Sequence, residues 1–151
     1  MVCPFCGRIK TSVRNSRGSV RRGQVWRRRS CEKCRRTFTT RESVELGFLE
    51  VLKRSSLSRE PYSRAKLLRS LFKATDHLAD PETALALADT IETNLLATIG
   101  QKDTLSSDTI ASTCLDVLKR FDTRAYVKYL SYQTETLDAS DLKQRLKGSR
   151  V

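Results

Sequence analysis

Two C-x-x-C pairs, an arginine-crowded stretch between them, and about a hundred residues of mostly helix-period pattern behind them predict an α+β chain built in two parts. The first part is a small β module. Cys3/Cys6 and Cys31/Cys34 each have a spacing that lets two thiolates converge on one ion. Two such pairs complete the tetrahedral four-sulfur shell of a structural Zn²⁺ site, one ion per chain. The knuckles read Cys3-Pro4-Phe5-Cys6-Gly7 and Cys31-Glu32-Lys33-Cys34, and the 24 residues between the pairs, 7–30, are enough for a β-hairpin. Strands are expected at Ser12–Ser16, Gln24–Arg29 and Thr37–Thr40, with Gly18 and Gly23 marking the turns. Two disulfides or a redox C-x-x-C are the rival readings. No secretory signal precedes the cysteines, which favours a reducing, cytoplasmic setting and the metal.

Charge is distributed unevenly. The chain carries +12, and residues 1–42 hold 13 Lys+Arg against 2 Asp+Glu, a net of +11. Even after a four-thiolate zinc site subtracts about two charges, the module keeps far more than solubility requires. That is the footprint of a phosphate-backbone binder. Candidate DNA contacts are Arg14, Arg17, Arg27, Arg28 and Arg29, with Arg21, Arg22 and Lys33 in reserve, because arginine suits both phosphates and guanine edges. Trp26, the only tryptophan, either packs against the small module's core or stacks on a base or sugar.

A second part begins near Glu45. Phe48–Arg54 is β-rich and is followed by a Ser-rich turn and Arg59-Glu60-Pro61-Tyr62, which reads as a hairpin. Four helices follow. Ser63 caps one running to about Thr75, with Leu67, Leu68, Leu71 and Phe72 on one face. Asp80-Pro81 starts a second that stops at Gly100. Ser106 or Ser107 starts a third that runs to about Phe121, and Asp122 caps a fourth that carries Ala125, Tyr126, Tyr129 and Leu130. The boundaries are 1–44 for the metal module, 45–136 for the α-rich unit and 137–151 for a polar tail. Cys114 is expected as a small buried helix residue and His77 as a helix-terminal surface residue. With 38% hydrophobic residues and no apolar run near the roughly 18 needed for a span, no membrane is expected. No phosphate loop, dinucleotide fingerprint, H-E-x-x-H or serine elbow occurs, so no motif supports an enzyme.

Taken in order, many short motifs make a match. Cys3-Pro4-Phe5-Cys6-Gly7, Ser16-Arg17, Arg27-Arg28-Arg29-Ser30-Cys31, Cys34 and Phe38-Thr39-Thr40 with Glu42 lie in the first part. Val51-Leu52-Lys53-Arg54, Arg59-Glu60-Pro61-Tyr62, Lys66-Leu67, and Asp122 with Ala125–Tyr129 lie in the second. Over roughly residues 1–132 the chain resembles the NrdR-type transcriptional repressors of ribonucleotide reductase genes, which join a zinc ribbon to an ATP-cone. The resemblance implies that the second unit binds ATP and dATP as allosteric ligands, without hydrolysing them as its function. It implies a nucleotide site from Val51, Lys53, Arg54, Glu60, Lys66 and Tyr126. It also implies a homo-oligomer that assembles through the cone, changes state with nucleotide, and binds paired operator boxes in double-stranded DNA. Lys53 and Arg54 close a strand whose backbone edge would read an adenine. Their charges suit a triphosphate, as does Lys66 near the positive end of the first helix. The chain departs from the pattern at several places. Ser55–Ser58 replaces an Asp-Gly turn, Asp76–Asp80 replaces a Lys-Arg-Pro segment, and Gln133 stands where a second tyrosine is expected. In the ribbon, Trp26 stands at a usual arginine and Arg35 at a usual glycine. The rival function is a zinc-ribbon nucleic-acid binder whose cone only oligomerises.

Overall fold

The computed structural model describes residues 1–19, 23–53, 56–100 and 102–133. Arg21, Arg22, Arg54, Ser55 and the tail from 137 lie outside the described residues. The chain divides into two compact units, with the boundary between Glu45 and Leu46.

The first unit is a three-stranded antiparallel sheet in the order β1-β2-β3, with β1 at Thr11–Ser19, β2 at Gln24–Cys31 and β3 at Thr37–Ser43. Gly18 does not turn the chain. It pairs with Val25 inside β1, because the strand runs on to Ser19, and Gly23 with φ of 56° takes the turn. A register shift between Val13 and Asn15 places Arg14 at a β-bulge. The unit has almost no apolar core. Among its described residues the buried ones are Cys3, Cys31, Gln24 and Ser30, and none of these is aliphatic.

The second unit has a real core. A 3₁₀ turn at Leu46–Phe48 leads into β4 (Glu50–Leu52), which pairs antiparallel with β5 (Arg59–Pro61), as the hairpin pattern predicts. A third strand, β6 (Thr104–Ser106), was not expected from the sequence. It runs parallel to β4 on its other side, so the order is β5-β4-β6. Three residues are too few to show a period, and Thr104-Leu105 is flanked at once by a helix cap. The consequence is that Glu50–Leu52 is paired on both sides. The free strand edge expected to read an adenine does not exist there.

Four helices pack on one another beside this sheet, with α3 against β6: α1 (Arg64–Ala74), α2 (Glu82–Ile99), α3 (Ser107–Phe121) and α4 (Thr123–Gln133). Their ends follow local chemistry. Asp80 accepts from the Glu82 N–H at 3.0 Å, Ser106 accepts from the Thr109 N–H at 3.0 Å, and Asp122 accepts from the Ala125 N–H at 2.7 Å. Gly100, with φ of 60°, ends α2. Leu71, Ile91, Leu95, Leu118 and Leu130 are fully buried, whereas Phe72 is exposed at the surface of α1. No described helix is long and apolar enough to cross a membrane. Ile91, on α2, is fully buried in the cluster that also holds Leu71 of α1 and Leu118 of α3. Ile91→Ala should therefore destabilise the second unit by about 3 kcal/mol in urea unfolding followed by helical circular dichroism. A loss under about 1 kcal/mol would show that this cluster is not the core.

Candidate metal centre, basic sheet and nucleotide pocket

Two knuckles with matching backbone hydrogen bonds build the metal centre. The Gly7 N–H donates to the Cys3 carbonyl at 3.0 Å, and the Cys3 N–H donates to the Arg8 carbonyl at 2.8 Å. In the second knuckle the Arg35 N–H donates to the Cys31 carbonyl at 2.9 Å, and the Cys31 N–H donates to Arg36 at 3.0 Å. Both knuckles need a left-handed residue after the second cysteine. Gly7 supplies it at φ of 69°, while Arg35 is held there at φ of 56° despite its side chain. This makes physical sense of a departure visible in the sequence.

The four Sγ atoms of Cys3, Cys6, Cys31 and Cys34 all lie within 4.8 Å of one another. Cys3 and Cys34 approach to 3.7 Å and Cys6 and Cys31 to 3.6 Å, each contact joining the two knuckles. A zinc ion with sulfur ligands at about 2.3 Å gives a tetrahedron with edges of about 3.8 Å. The donor set and spacing therefore fit Zn²⁺, and all four cysteines are free of disulfides. The Cys34 amide directed at the Cys31 sulfur, against the cost of burial, holds the Cys31 thiol down at about 6. For Cys34 the Arg36 amide favours the thiolate, but burial and three neighbouring sulfurs push it up to about 11. Four thiolates cannot share this volume without a cation to neutralise them.

The sheet places the arginines. Arg27 and Arg29 share one face with Glu42, at 2.9 and 3.7 Å, and Arg29 also donates to the Thr40 hydroxyl. Phe38, opposite Arg29, meets Phe5 of the first knuckle edge-on at 6.5 Å between centroids. Arg17 lies opposite Trp26, and Arg28 opposite Asn15 and Thr39, on the other face. Lys33 sits in the second knuckle and Arg14 at the bulge, both exposed.

In the second unit, a cavity of about 290 Å³ is lined by Val51, Glu60 and Lys66 from the expected nucleotide set. Lys53 joins them through Glu60, whose Oε2 lies 2.8 Å from both the Lys53 and Lys66 ammoniums. These two cations hold the Glu60 carboxyl below its ordinary range. Its contribution to the fold is present above the ordinary carboxylate range and is lost as pH falls through the lowered value. Tyr126 is half-buried against the core and does not line the cavity, whereas Tyr129, one helical turn on, does. Sequence reasoning also missed Tyr62, Ser63, Ser70, Ser107, Ile110 and Ala111 in the lining. Only tertiary packing brings the starts of α1 and α3 together. Tyr62 donates to Glu92 at 3.1 Å, and Arg64 holds both Glu92 and Asp89. Burial, with the Glu92 charge beside it, keeps the Tyr62 phenol protonated, and burial also raises the Glu92 carboxyl.

Cys114 is fully buried, and burial pushes its thiol up to about 11, as befits an inert packing residue. His77 is not the surface residue expected. Its side chain is only 9% exposed, and its Nε2 contacts Asp122 at 3.0 Å. The same segment, 76–80, puts Asp76 against Lys128, so acidic and imidazole groups occupy the place of the expected Lys-Arg-Pro segment. In the altered turn, Leu57 adopts φ of 52°, the conformation a glycine would otherwise supply.

A four-cysteine metal centre carrying a strongly basic sheet defines a zinc-dependent DNA-binding protein. Residues 1–42 match the family described as "Transcriptional repressor NrdR-like, N-terminal domain". The chain is 37% identical over 142 residues to the Transcriptional repressor NrdR of Caulobacter vibrioides, covering 93% of this chain and 88% of that one. It is 38% identical over 147 residues to that of Cupriavidus metallidurans (97% and 93% covered). It is 34% identical over 148 residues to that of Lachnoclostridium phytofermentans (97% and 95% covered). The chain belongs to the NrdR family of transcriptional repressors, whose members are regulators and not enzymes.

The paired knuckles generate a prediction with opposite signs. Gly7→Ala should destabilise the ribbon by about 1 kcal/mol, and Arg35→Gly should stabilise it by a similar amount. Ribbon melting in the zinc-loaded protein reads both, and equal signs would contradict the geometry. Removing the metal is the larger perturbation. Chelation, or Cys31→Ser, should unfold the ribbon and abolish DNA binding while the helical signal of the second unit persists. A Cys31→Ser protein that still binds DNA would refute the metal-built ribbon.

Proposed function

We propose that this chain is a nucleotide-responsive, zinc-dependent repressor of ribonucleotide reductase genes. ATP or dATP bound to the ATP-cone at 45–136 controls oligomeric state, and so the operator affinity of the zinc ribbon at 1–44. The protein acts in the cytoplasm, on paired operator boxes. The observation that carries the reading is the cavity at Val51, Glu60 and Lys66, with Lys53 tied to its rim.

The chemistry suits a nucleoside triphosphate. Two ammoniums share one carboxylate, so the rim is net positive before any ligand arrives. Phosphate oxygens compete with Glu60 for Lys53 and Lys66, and they bring more charge than the carboxylate they displace. Ser63, at the N-cap of α1, and Ser107, the first residue of α3, both belong to the lining, so two helix N-termini lie at the cavity. Val51, Leu67 and Ile110 offer apolar surface for a base. Tyr129 is the better placed tyrosine, and Tyr126 acts behind it. Because nucleotide and DNA bind the same oligomer, each changes the affinity of the other by the same factor.

A second reading rests on the Asp76–Lys128 and His77–Asp122 pairs, which occupy the place of a basic segment. A cone built this way oligomerises without sensing nucleotide. Calorimetry separates the two. The wild type should bind ATP or dATP, and Lys66→Ala should lose about tenfold to a hundredfold in affinity, the worth of one charge-assisted phosphate contact. The zinc site should be unharmed. Silence toward both nucleotides at millimolar concentration would replace the sensor by the purely oligomeric cone.

A further inference from the structure

Strand alternation deals the Arg27-Arg28-Arg29 run to two faces of the ribbon sheet. On one face Arg27 and Arg29 share the single carboxylate of Glu42, which offsets one of their two charges, and the Arg29 side chain is only 13% exposed. On the other, Trp26 pairs in register with Arg17 and Arg41, and Arg28 with Asn15 and Thr39. A groove of about 250 Å³ is lined by Asn15, Arg17, Trp26, Arg28 and Thr39. The Arg41 guanidinium sits 4.3 Å from the centroid of the Trp26 ring. Among the described residues no carboxylate pairs with Arg17, Arg28 or Arg41.

We propose that the Trp26 face is the surface that enters the DNA groove, and that Arg27 and Arg29 chiefly brace the ribbon. The inference rests on the DNA-binding reading and specifies its surface. Its occupant is double-stranded DNA, argued from charge. Among the described residues this face carries three cations with no compensating anion, while on the opposite face Glu42 lies against Arg27 and Arg29. Dimensions agree. Strands about 4.8 Å apart put the outer two roughly 10 Å from each other, within reach of a major groove about 12 Å wide. The central strand then reads and the outer strands clamp. Arg28 stands between Asn15 and Thr39, side chains whose types match guanine, adenine and the thymine methyl. Its guanidinium is oriented in advance by a 3.0 Å bond to the Thr37 hydroxyl. Arg17 and Arg41, on β1 and β3, meet phosphates on either side. Trp26, held by Arg41, lays its ring against a sugar or thymine methyl. A tryptophan in place of a fourth arginine thus exchanges a salt-dependent contact for an apolar one.

The test uses the full zinc-loaded chain and two duplexes, one selected by the protein from a random pool and one unrelated. Trp26 is the only tryptophan, so its fluorescence reports this face alone. Saturating selected duplex should shield it from acrylamide. Arg28→Ala should lose tenfold or more on the selected duplex and narrow the discrimination between the two. Arg17→Ala should weaken both about equally and lower the log–log salt slope by about 1. Arg27→Ala should lose less than Arg28→Ala. Metal content and helical circular dichroism confirm that each variant is folded, and Arg28→Lys, which keeps the charge, should recover affinity for the unrelated duplex only. If the wild type binds neither duplex, the DNA reading falls and takes this inference with it. If it binds while Trp26 stays open to acrylamide, or if Arg27→Ala loses more than Arg28→Ala, the face assignment alone is overturned.

Discussion

Everything in the first 45 residues depends on four sulfurs meeting at one point. Among its described residues the ribbon buries Cys3 and Cys31 but no aliphatic side chain, so hydrophobic burial contributes little to holding it. Thirteen basic residues in 42 also repel one another. A cation bound by four thiolates supplies the missing free energy at the end of the sheet where the knuckles meet. It also fixes where each strand begins. Thr11 pairs with Cys31 and Ser30 with Thr37, so the knuckles set the register that deals alternate arginines to opposite faces. The metal acts on DNA only indirectly, by deciding which side chains point together.

The second unit is stabilised differently. Its core of Leu71, Ile91, Leu95 and Leu118 is conventional, and α3 and α4 start on side-chain caps from Ser106 and Asp122. Polar groups are concentrated beside the cavity. Lys53, Glu60 and Lys66 form an exposed chain of charges at its rim, worth little to stability in water. Tyr62, Arg64, Asp89 and Glu92 form a half-buried network behind it, in which removing one member strands the others. A ligand that drew Lys66 away from Glu60 would act at the start of α1, two residues from Arg64. That is a physical route from pocket to helix packing.

Much of this was legible in the sequence because the signals are local. C-x-x-C spacing, caps at Asp80, Ser106 and Asp122, and the stop at Gly100 each act within a few residues. The charge imbalance needed only counting. What was not legible depends on partners distant in sequence. Strand β6 exists because Leu105 and Ser106 dock beside Val51 and Leu52. Gly18 reads as a turn until β1 is seen to continue past it. Tyr129 lines the cavity and Tyr126 does not because α4 lies against α1 and α3. His77 looked exposed because its partner, Asp122, is 45 residues away. The sequence also could not divide Arg27, Arg28 and Arg29 between faces without a register.

The proposed function requires the metal-built DNA surface and the nucleotide-binding cone to be energetically coupled. Operator affinity of the zinc-loaded chain, measured without nucleotide, with ATP and with dATP at one salt concentration, reads that coupling. Affinity should differ at least fivefold between nucleotide states, a coupling of about 1 kcal/mol or more. Equal affinity in all three conditions, with both nucleotides bound, would contradict it.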